Sequence, residues 1–315
     1  MILVFAPFPA YERVALTEQF TPGAPQKPLR VSTFAGGPGL RAASVIRLMG
    51  GETLAVGFAG GRIGELLADA LDKQDIPHIL TRTVSETRGS FLLLDNQSGV
   101  VTLIPENAPT VTEAETARLL ASLMRHLTGA THLLATGGDD SGEAELVRAA
   151  ILAAHTVTVP VVVDAKGLSL TAALDVGNLF LLRVSHKSLQ RHLEKSLVHD
   201  SAVVREVNVL RDAHNVQNIV VTLAEDGAIL VDSTGMATRV QAPVVSHFNP
   251  TGGGQTLVGA MLVQAVRNGG NLVDALRHGA AAASVNVTHD EPGYTTPAET
   301  AILLQKTTAI PVQTR

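Results

Sequence analysis

The chain has 315 residues, a formal net charge of −5 and no cysteine. The absence of cysteine excludes disulfides, thiolate nucleophiles and cysteine-ligated metal centres, and the lack of a block of basic residues argues against a nucleic-acid partner. Aromatic residues make up only 3% and tryptophan is absent, so the core must consist mainly of leucine, valine and alanine.

The N-terminal residues 1–5 are apolar, lack a basic leader and are followed closely by Pro7 and Pro9. This pattern favours a buried strand over a signal peptide. No apolar run reaches the roughly 18 residues that a membrane span requires. We therefore expect a cytoplasmic protein without a membrane partner.

The next hundred residues combine an irregular segment, helices and a hairpin. Residues 10–32 contain Pro22, Pro25 and Pro28, and we expect them to leave the core. A polar turn at residues 96–99 between two apolar runs predicts a hairpin, which we expect to form a small β lid with the irregular segment. The predicted helices are 40–49 and 63–74, and the predicted strands are 1–5, 53–58, 89–95 and 100–105.

From residue 112 onward, strands alternate with helices, which implies parallel βαβ units. The predicted helices are 113–127, 142–155, 188–197, 254–268 and 272–287. The predicted strands are 132–135, 160–164, 179–182 and 219–223, followed by a hairpin of 228–232 with 238–241. The sequence therefore predicts one α/β core, made of residues 1–9, 33–87 and 106–315, and a β lid made of residues 10–32 and 88–105.

Three consecutive glycines, Gly252, Gly253 and Gly254, precede a long apolar helix. Unobstructed backbone amides at a helix N-terminus, together with the helix dipole, favour an anion. Taken alone, the segment is equally compatible with a flexible turn. The residue that follows the glycines is Gln255.

The sequence Thr-Gly-Gly-Gly-Gln at residues 251–255 resembles the Thr/Val-Gly-Ala-Gly-Asp signature of the PfkB family of carbohydrate kinases. This resemblance implies that Gly252, Gly253 and Gly254 form an anion hole for the transferring phosphoryl group and that Thr251 lies at the nucleotide. It places Gln255 where the family keeps the aspartate that takes a proton from the sugar hydroxyl. The implied fold is a ribokinase-like three-layer α/β/α sandwich with a mainly parallel sheet and a small β lid.

A second segment, Gly-Gly-Pro-Gly-Leu-Arg-Ala-Ala at residues 36–43, is similar to the family's Gly-Gly-Lys-Gly-x-Asn-x-Ala, which lines the sugar site. The resemblance implies substrate contacts by Gly36, Gly37, Gly39 and Arg41. The family's lysine is replaced by Pro38, which carries neither a charge nor a backbone donor, and its asparagine by Arg41.

Two further matches point to the branch that contains 1-phosphofructokinase and tagatose-6-phosphate kinase. Residues 8–12, Phe-Pro-Ala-Tyr-Glu, are similar to that branch's Asn-Pro-Ala-x-Asp, which implies that Glu12 is a sugar-hydroxyl ligand. Residues 86–88 match its Glu-Thr-Arg, which implies that Arg88 lies near a substrate phosphate.

The nucleotide side shows the same order of segments. Residues 221–227 resemble the family's Val-Thr-Leu-Gly-x-x-Gly, and the resemblance implies nucleotide contacts at Thr222, Ala224 and Gly227, with Asn286 at the same site. It also implies ATP and Mg²⁺ as cofactors. In the segment that matches Leu-Lys-Pro-Asn-x-x-Glu, however, Ser185 and Ser188 replace the Asn and Glu that organise magnesium, so we expect a degraded Mg²⁺ site and assign no metal ligand.

These losses favour a PfkB-type carbohydrate kinase homologue that is impaired or inactive. Glutamine cannot accept a proton near neutral pH, and a general base typically raises the reaction rate by about 100- to 10,000-fold.

One alternative is an active sugar-phosphate kinase with another base; His247 is near in sequence, although we favour a surface role for it. A second is a non-catalytic sugar-, nucleotide- or partner-binding protein. A third is a dinucleotide-dependent oxidoreductase, against which the missing G-x-G-x-x-G spacing argues. We expect a homodimer through the lid.

Overall fold

The computed structural model describes residues 1–312, which form fourteen strands and ten α-helices. The strands, in chain order, are β1 (Ile2–Phe5), β2 (Ala10–Thr17), β3 (Arg30–Gly36), β4 (Thr53–Gly60), β5 (His78–Thr83), β6 (Arg88–Asp95), β7 (Val101–Pro105), β8 (His132–Gly137), β9 (Val161–Ala165), β10 (Leu179–Ser185), β11 (Val216–Thr222), β12 (Ala228–Val231), β13 (Ala237–Gln241) and β14 (Thr308–Pro311). The helices are α1 (Pro38–Leu48), α2 (Gly61–Lys73), α3 (Glu113–Leu127), α4 (Ser141–Thr156), α5 (Gly167–Val176), α6 (His186–Leu193), α7 (Asp200–Ala213), α8 (Gly253–Arg267), α9 (Leu272–Asn286) and α10 (Pro297–Leu304). None of these helices is long and apolar enough to cross a membrane.

Ten strands form the main sheet, in the order β14-β13-β12-β11-β10-β9-β8-β1-β4-β5. The strands from β11 to β5 in this order run parallel, and β12, β13 and β14 continue the sheet antiparallel. The carboxyl ends of all the parallel strands therefore meet at one edge of the sheet, which is where open α/β sheets bind their ligands.

Helices cover both faces of this sheet because successive residues of a buried strand point to opposite sides. In β1, Leu3 and Phe5 belong to an apolar cluster that includes residues of α3, α4 and α7. Ile2 and Val4 belong to a second cluster, which includes residues of α1, α8 and α9. The resulting three-layer α/β/α arrangement around a mostly parallel sheet confirms the predicted fold class.

A separate four-stranded sheet has the order β3-β2-β6-β7. Its central pair, β2 and β6, is parallel, while β3 and β7 pair antiparallel to them at the edges. Val14, Leu92 and Leu94 are buried on one face. On β6, Phe91 and Leu92 point to opposite sides, and Phe91 is 43% exposed whereas Leu92 is fully buried.

The prediction that residues 10–32 are irregular was wrong at both ends, because Ala10–Thr17 is the regular strand β2 and residues 30–32 begin strand β3, which was not predicted. The prolines that suggested an excursion lie in the connection between β2 and β3. Helix α7 was missed as well; its buried face is mostly valine, a β-branched residue with low helix propensity, so packing against β11 outweighs local preference. The sequence also gave no prediction for β5, α5, α10 and β14.

Candidate active site

The glycine loop lies at the N-terminus of α8, where Gly252 caps the helix with a positive φ of 88°. A glycine tolerates this left-handed conformation without steric cost. The side chain of Asn286, which is fully buried, fixes the loop from behind. Its Nδ2 donates to the Thr251 carbonyl at 3.0 Å, and its Oδ1 accepts from the Gly293 amide at 2.6 Å. The polar atoms of Asn286 are therefore engaged within the protein, and its predicted nucleotide contact stays a prediction.

Gln255 lies in the first turn of α8, immediately after these glycines, and its Nε2 donates to Oδ2 of Asp164 at 2.8 Å. Asp164 is only 4% exposed and lies near the carboxyl end of β9. Its other oxygen, Oδ1, accepts from Nη1 of Arg183 at 2.8 Å. The residue at the predicted base position is thus an amide that donates to a buried, already paired carboxylate.

Arg183, from β10, lies directly against the glycine loop. A Cβ at Gly254 would be 2.0 Å from Nη2 of Arg183, so only a glycine allows the guanidinium to approach this closely. Nη2 also donates to Oγ1 of Thr222 at 2.7 Å, whereas the buried Nε has no hydrogen-bond partner among the described residues. A guanidinium beside helix N-terminal amides is an arrangement that favours a phosphate group, and of the three glycine amides that of Gly253 already donates to the Pro250 carbonyl at 3.3 Å.

Sequence reasoning did not identify Arg183 and Asp164 as functional residues, although signals for both were present. Arg183 stands in the segment compared with Leu-Lys-Pro-Asn-x-x-Glu, where it takes the position of the lysine. Asp164 follows three consecutive valines, a pattern typical of a buried parallel strand that delivers its last side chains to the ligand-binding edge of the sheet.

On the sugar side, Glu12 of β2 forms a buried ion pair with Arg41 of α1. Nη2 of Arg41 donates to Oε1 of Glu12 at 2.5 Å, and the side-chain exposures are 9% and 1%. Ser90 Oγ, from β6, donates to the same carboxylate oxygen at 3.2 Å. The predicted sugar-hydroxyl ligand is therefore paired with the residue that replaces the family's asparagine.

Gly36 and Gly39 lie where a side chain would collide with its neighbours, whereas Gly37 is distinguished by its positive φ. Gly36 packs on Glu12, and a Cβ on Gly39 would lie 2.5 Å from Cβ of Ala6. Gly37 is the N-cap of α1 with a φ of 93°, and Pro38 occupies the first turn of that helix. The glycines of the predicted sugar site are thus matched to their backbone surroundings, and Pro38 stands where the family's motif has lysine.

Arg88 begins β6, and its Nη2 donates to the Phe8 carbonyl at 2.5 Å. Its positive charge acts on Glu143, a buried residue of α4 whose Oε2 accepts from the Gly138 amide at 2.7 Å. Burial raises the pKa of Glu143, and the charge of Arg88 opposes that rise only in part. The predicted role of Arg88 near a substrate phosphate stays a prediction, because its described contact is with a backbone carbonyl.

The sugar side and the glycine loop adjoin through Gly293. A Cβ on Gly252 would lie 2.8 Å from the Gly293 amide nitrogen, and a Cβ on Gly293 would lie 3.3 Å from Cβ of Arg41. The structure therefore brings the predicted anion hole, the base position and the predicted substrate residues to one region of the molecule.

The predicted nucleotide residues Thr222, Ala224 and Gly227 lie at and after the end of β11. Thr222 is engaged with Arg183, as described above. Ala224 has a positive φ of 53°, a conformation that is about 1–2 kcal/mol less favourable for a residue with a Cβ. The strain identifies the position as one that suits the glycine found in the family's motif.

The residues that replace the magnesium-organising pair bind one another. Ser185 caps α6, and its Oγ accepts from the Ser188 amide and donates to Oγ of Ser188 at 2.8 Å. Asp164 is committed to Arg183 and Gln255, and no group of three or more potential metal ligands occurs in residues 1–312. This donor set does not fit a Mg²⁺ ion, which prefers several carboxylate, phosphate or water oxygens.

Comparison with known proteins agrees with this geometry. The pfkB family carbohydrate kinase model matches residues 4–299. The chain is 26% identical to ATP-dependent 6-phosphofructokinase isozyme 2 of Escherichia coli over 276 residues, which are 88% of this chain and 89% of the relative. It is 25% identical to 1-phosphofructokinase of Borreliella burgdorferi over 282 residues, which are 90% of each chain.

Solved structures of the same fold superpose over nearly the full length. Phosphofructokinase-2 from Escherichia coli in complex with potassium gives a TM-score of 0.88 at 24% identity, with 97% of this chain and 98% of that chain covered. Arabidopsis thaliana ribokinase complexed with ribose and ATP gives a TM-score of 0.75 at 19% identity, with 96% and 98% covered. With a family match that extends over almost the whole described chain, this protein belongs to the pfkB family of carbohydrate kinases.

Proposed function

We propose that this chain binds a sugar or sugar phosphate and a nucleotide but transfers phosphoryl groups slowly or not at all. The observation that carries the proposal is the hydrogen bond from Gln255 Nε2 to Asp164 Oδ2 at 2.8 Å. An amide that donates to a buried carboxylate cannot also take a proton from an acceptor hydroxyl. The absence of a general base lowers the rate by about 100- to 10,000-fold.

The acceptor side supports the same conclusion. The carboxylate of Glu12 already receives hydrogen bonds from Arg41 and Ser90, so a sugar hydroxyl must compete with a buried guanidinium for it. The change from lysine to Pro38 removes a charge that could hold an acceptor phosphate. Binding of a sugar phosphate would then depend mainly on Arg88.

Kinases of this family use ATP and Mg²⁺, and the two cofactors fit this chain differently. The glycine loop and Arg183 suit a phosphate group, whereas the serine pair and Asp164 do not suit Mg²⁺. In our proposal the guanidinium of Arg183 supplies positive charge at the phosphate. We expect phosphate, sulfate or a nucleotide phosphate to bind this loop weakly; an empty loop after soaks at high anion concentration would contradict this expectation.

Steady-state kinetics with ATP and a panel of hexose phosphates test the proposal. We expect the wild-type protein to turn over fructose 1-phosphate, fructose 6-phosphate and tagatose 6-phosphate very slowly. The Gln255→Asp variant should gain activity only in part, because the substitutions at Pro38, Ser185 and Ser188 remain. The double variant Gln255→Asp/Pro38→Lys should gain more. Robust turnover by the unmodified protein would contradict the proposal.

A second candidate function is an active sugar-phosphate kinase that uses a different base. Asp164 favours it, because its carboxylate lies 2.8 Å from the Gln255 amide and is thus the carboxylate bonded directly to the base position. His247, considered from the sequence, is exposed and makes no described hydrogen bond. If the wild-type protein is active, Asp164→Asn should abolish its turnover, whereas His247→Ala should not change it. The family match favours either kinase reading over a dinucleotide-dependent oxidoreductase.

We further propose that residues 10–32 and 88–105 act as the lid and that two copies of the chain pair through it. The outer face of the four-stranded sheet leaves the directly paired Phe91 and Ile104 43% and 52% exposed. Adjacent exposed apolar side chains typically mark an interaction surface. This face would also serve a non-catalytic partner protein.

Sedimentation velocity tests the lid pairing. The Phe91→Glu/Ile104→Glu variant should shift the protein to a monomer, because each change places a charge in the apolar face. Leu152→Glu, at a 50% exposed position on α4, is the matched control and should leave the association unchanged. A wild-type protein that stays monomeric at high concentration would contradict the proposed dimer.

A further inference from the structure

We propose a second anion-binding site, separate from the glycine loop, in a cavity between the edge strand β5 and helix α3. The cavity has a volume of about 870 Å³, within the range of about 300–1,000 Å³ typical of small-molecule sites. The ligand class that its chemistry fits is a small anion with several phosphate charges.

Three arginine residues line this cavity: Arg82 from β5, and Arg118 and Arg125 from α3. All three are exposed, and none forms an ion pair with a described carboxylate. Arg118 donates weakly to the Arg82 carbonyl at 3.4 Å, and Arg125 donates to the Ala121 carbonyl and to Ser122 within its own helix. In a chain with a net charge of −5, three such cations around one cavity form a local positive region.

The spacing of the arginines suits a ligand with charges several ångströms apart. Arg118 and Arg125 are two helical turns apart on the same face of α3, a separation of about 10 Å along the helix axis. Arg82 contributes to the lining from the sheet edge through its carbonyl, while its side chain leaves β5 on the face opposite to Ile79 and Thr81, which pack toward α3. Guanidinium groups bind phosphate oxygens in pairs, which makes arginine a suitable residue for such a site.

Glu115 and Glu86 lie near the cavity and offset part of this positive charge, and both are bound by backbone amides. Glu115 is 3% exposed; it accepts from the Thr112 amide and hydroxyl and from the Val84 amide. The amides of Thr112 and Val84 hold the pKa of Glu115 below its ordinary value, with a small contribution from Arg118. Glu86 accepts from the Ile63 amide at the start of α2. Both carboxylates therefore accept hydrogen bonds from backbone amides.

The same contacts favour a small anion over an extended peptide. β5 is the last strand of the main sheet, and a free strand edge could add another strand. However, the Val84 amide is bound by Glu115 and the Arg82 carbonyl is contacted by Arg118. The edge is thus capped by side chains of α3, while the guanidinium groups remain free for a soluble anion.

Isothermal titration calorimetry with inorganic tripolyphosphate at 0.15 M salt tests the site. The Arg118→Gln/Arg125→Gln variant should bind at least about 100-fold more weakly, about tenfold for each lost charge-assisted contact. Arg191→Gln/Arg205→Gln removes the same charge from exposed arginines of α6 and α7, away from the cavity, and should change the affinity less than threefold, an order-of-magnitude bound for a remote surface charge. Equal weakening in both variants would overturn the proposal.

A third variant, Gly254→Ala, distinguishes binding at this cavity from binding at the glycine loop. The added Cβ forces Arg183 away from the loop. In the proposed arrangement it leaves tripolyphosphate binding at α3 intact, and hydrogen exchange of residues 79–84 should still slow when the anion is added. Loss of all binding in Gly254→Ala would show that only the glycine loop binds anions. Tighter binding of a hexaglutamate peptide, dependent on Arg118 and Arg125, would assign the cavity to acidic peptides and also overturn the proposal.

Discussion

The Gln255→Glu variant replaces an amide nitrogen by a carboxylate oxygen without changing the length of the side chain. Because Nε2 of Gln255 donates to Asp164 Oδ2 at 2.8 Å, the variant places a second carboxylate, half-buried, against the buried carboxylate of Asp164. Two charges about 4 Å apart repel by about 4 kcal/mol at an effective dielectric constant of about 20. The lost hydrogen bond to a charged acceptor adds about 1.5–3 kcal/mol.

The folded Gln255→Glu protein can avoid this repulsion if one of the two carboxylates binds a proton. Protonation of a glutamate costs about 1.4 kcal/mol for each pH unit above its ordinary pKa of about 4.3, which is about 5 kcal/mol at pH 8 and about 1 kcal/mol at pH 5. The folded-state pKa of the introduced carboxyl is raised above its unfolded value. The unfolding free energy of Gln255→Glu is therefore close to that of wild type near pH 4. It falls below the wild-type value as the pH rises toward the folded-state pKa of the introduced carboxyl.

Urea denaturation followed by circular dichroism at pH 5, 6.5 and 8 measures this effect. We expect Gln255→Glu to lose about 5 kcal/mol of unfolding free energy at pH 8 and about 1 kcal/mol at pH 5. Gln255→Met, a neutral control of similar size, should lose about 1.5–3 kcal/mol at every pH, because Asp164 loses one of its partners. A Gln255→Glu variant as stable as wild type at pH 8 would refute the hydrogen bond on which the proposed function rests.

Three further predictions concern the surroundings of the site. Glu12→Gln leaves its buried arginine partner unpaired and should lower the unfolding free energy by about 3–5 kcal/mol, whereas Ser90→Ala should lower it by only about 1 kcal/mol; both are measured by chemical denaturation. Because burial raises the pKa of Glu143 above the ordinary value of 4.5, its contribution to stability is present below pH 4.5 and is lost as the pH rises through the folded-state pKa. The melting temperature of Glu143→Gln relative to wild type should therefore be higher at pH 8 than at pH 4.5, and a difference independent of pH would contradict this. Gly254→Ala should destabilise the protein by about 1–3 kcal/mol in thermal denaturation, whereas Gly253→Ala, whose Cβ would meet its nearest neighbour at 3.8 Å, should not.

Several features could be predicted from the sequence because they are encoded by neighbouring residues. The alternation of apolar runs and amphipathic helices after residue 112 indicated a parallel sheet, and the apolar run after the glycines at 252–254 indicated helix α8. The position of Gln255 after those glycines followed from the motif alone. Where local preference and packing disagreed, as in the valine-rich helix α7, the prediction failed.

Other features depend on residues that are distant in the sequence. The partners Gln255 and Asp164 are 91 residues apart, and Arg183 is 19 residues from Asp164. Glu12 and Arg41 are 29 residues apart and belong to different elements. Their pairing depends on the order and register of strands and on the packing of α1 and α8 against the sheet, which no local pattern specifies. The sequence by itself determined the family, the glycine loop and the glutamine in place of the motif's aspartate. Only the tertiary structure decided that the substituted residues bind partners within the protein. The reason is that buried charges and amides pair with groups from whichever elements the fold brings within hydrogen-bonding distance.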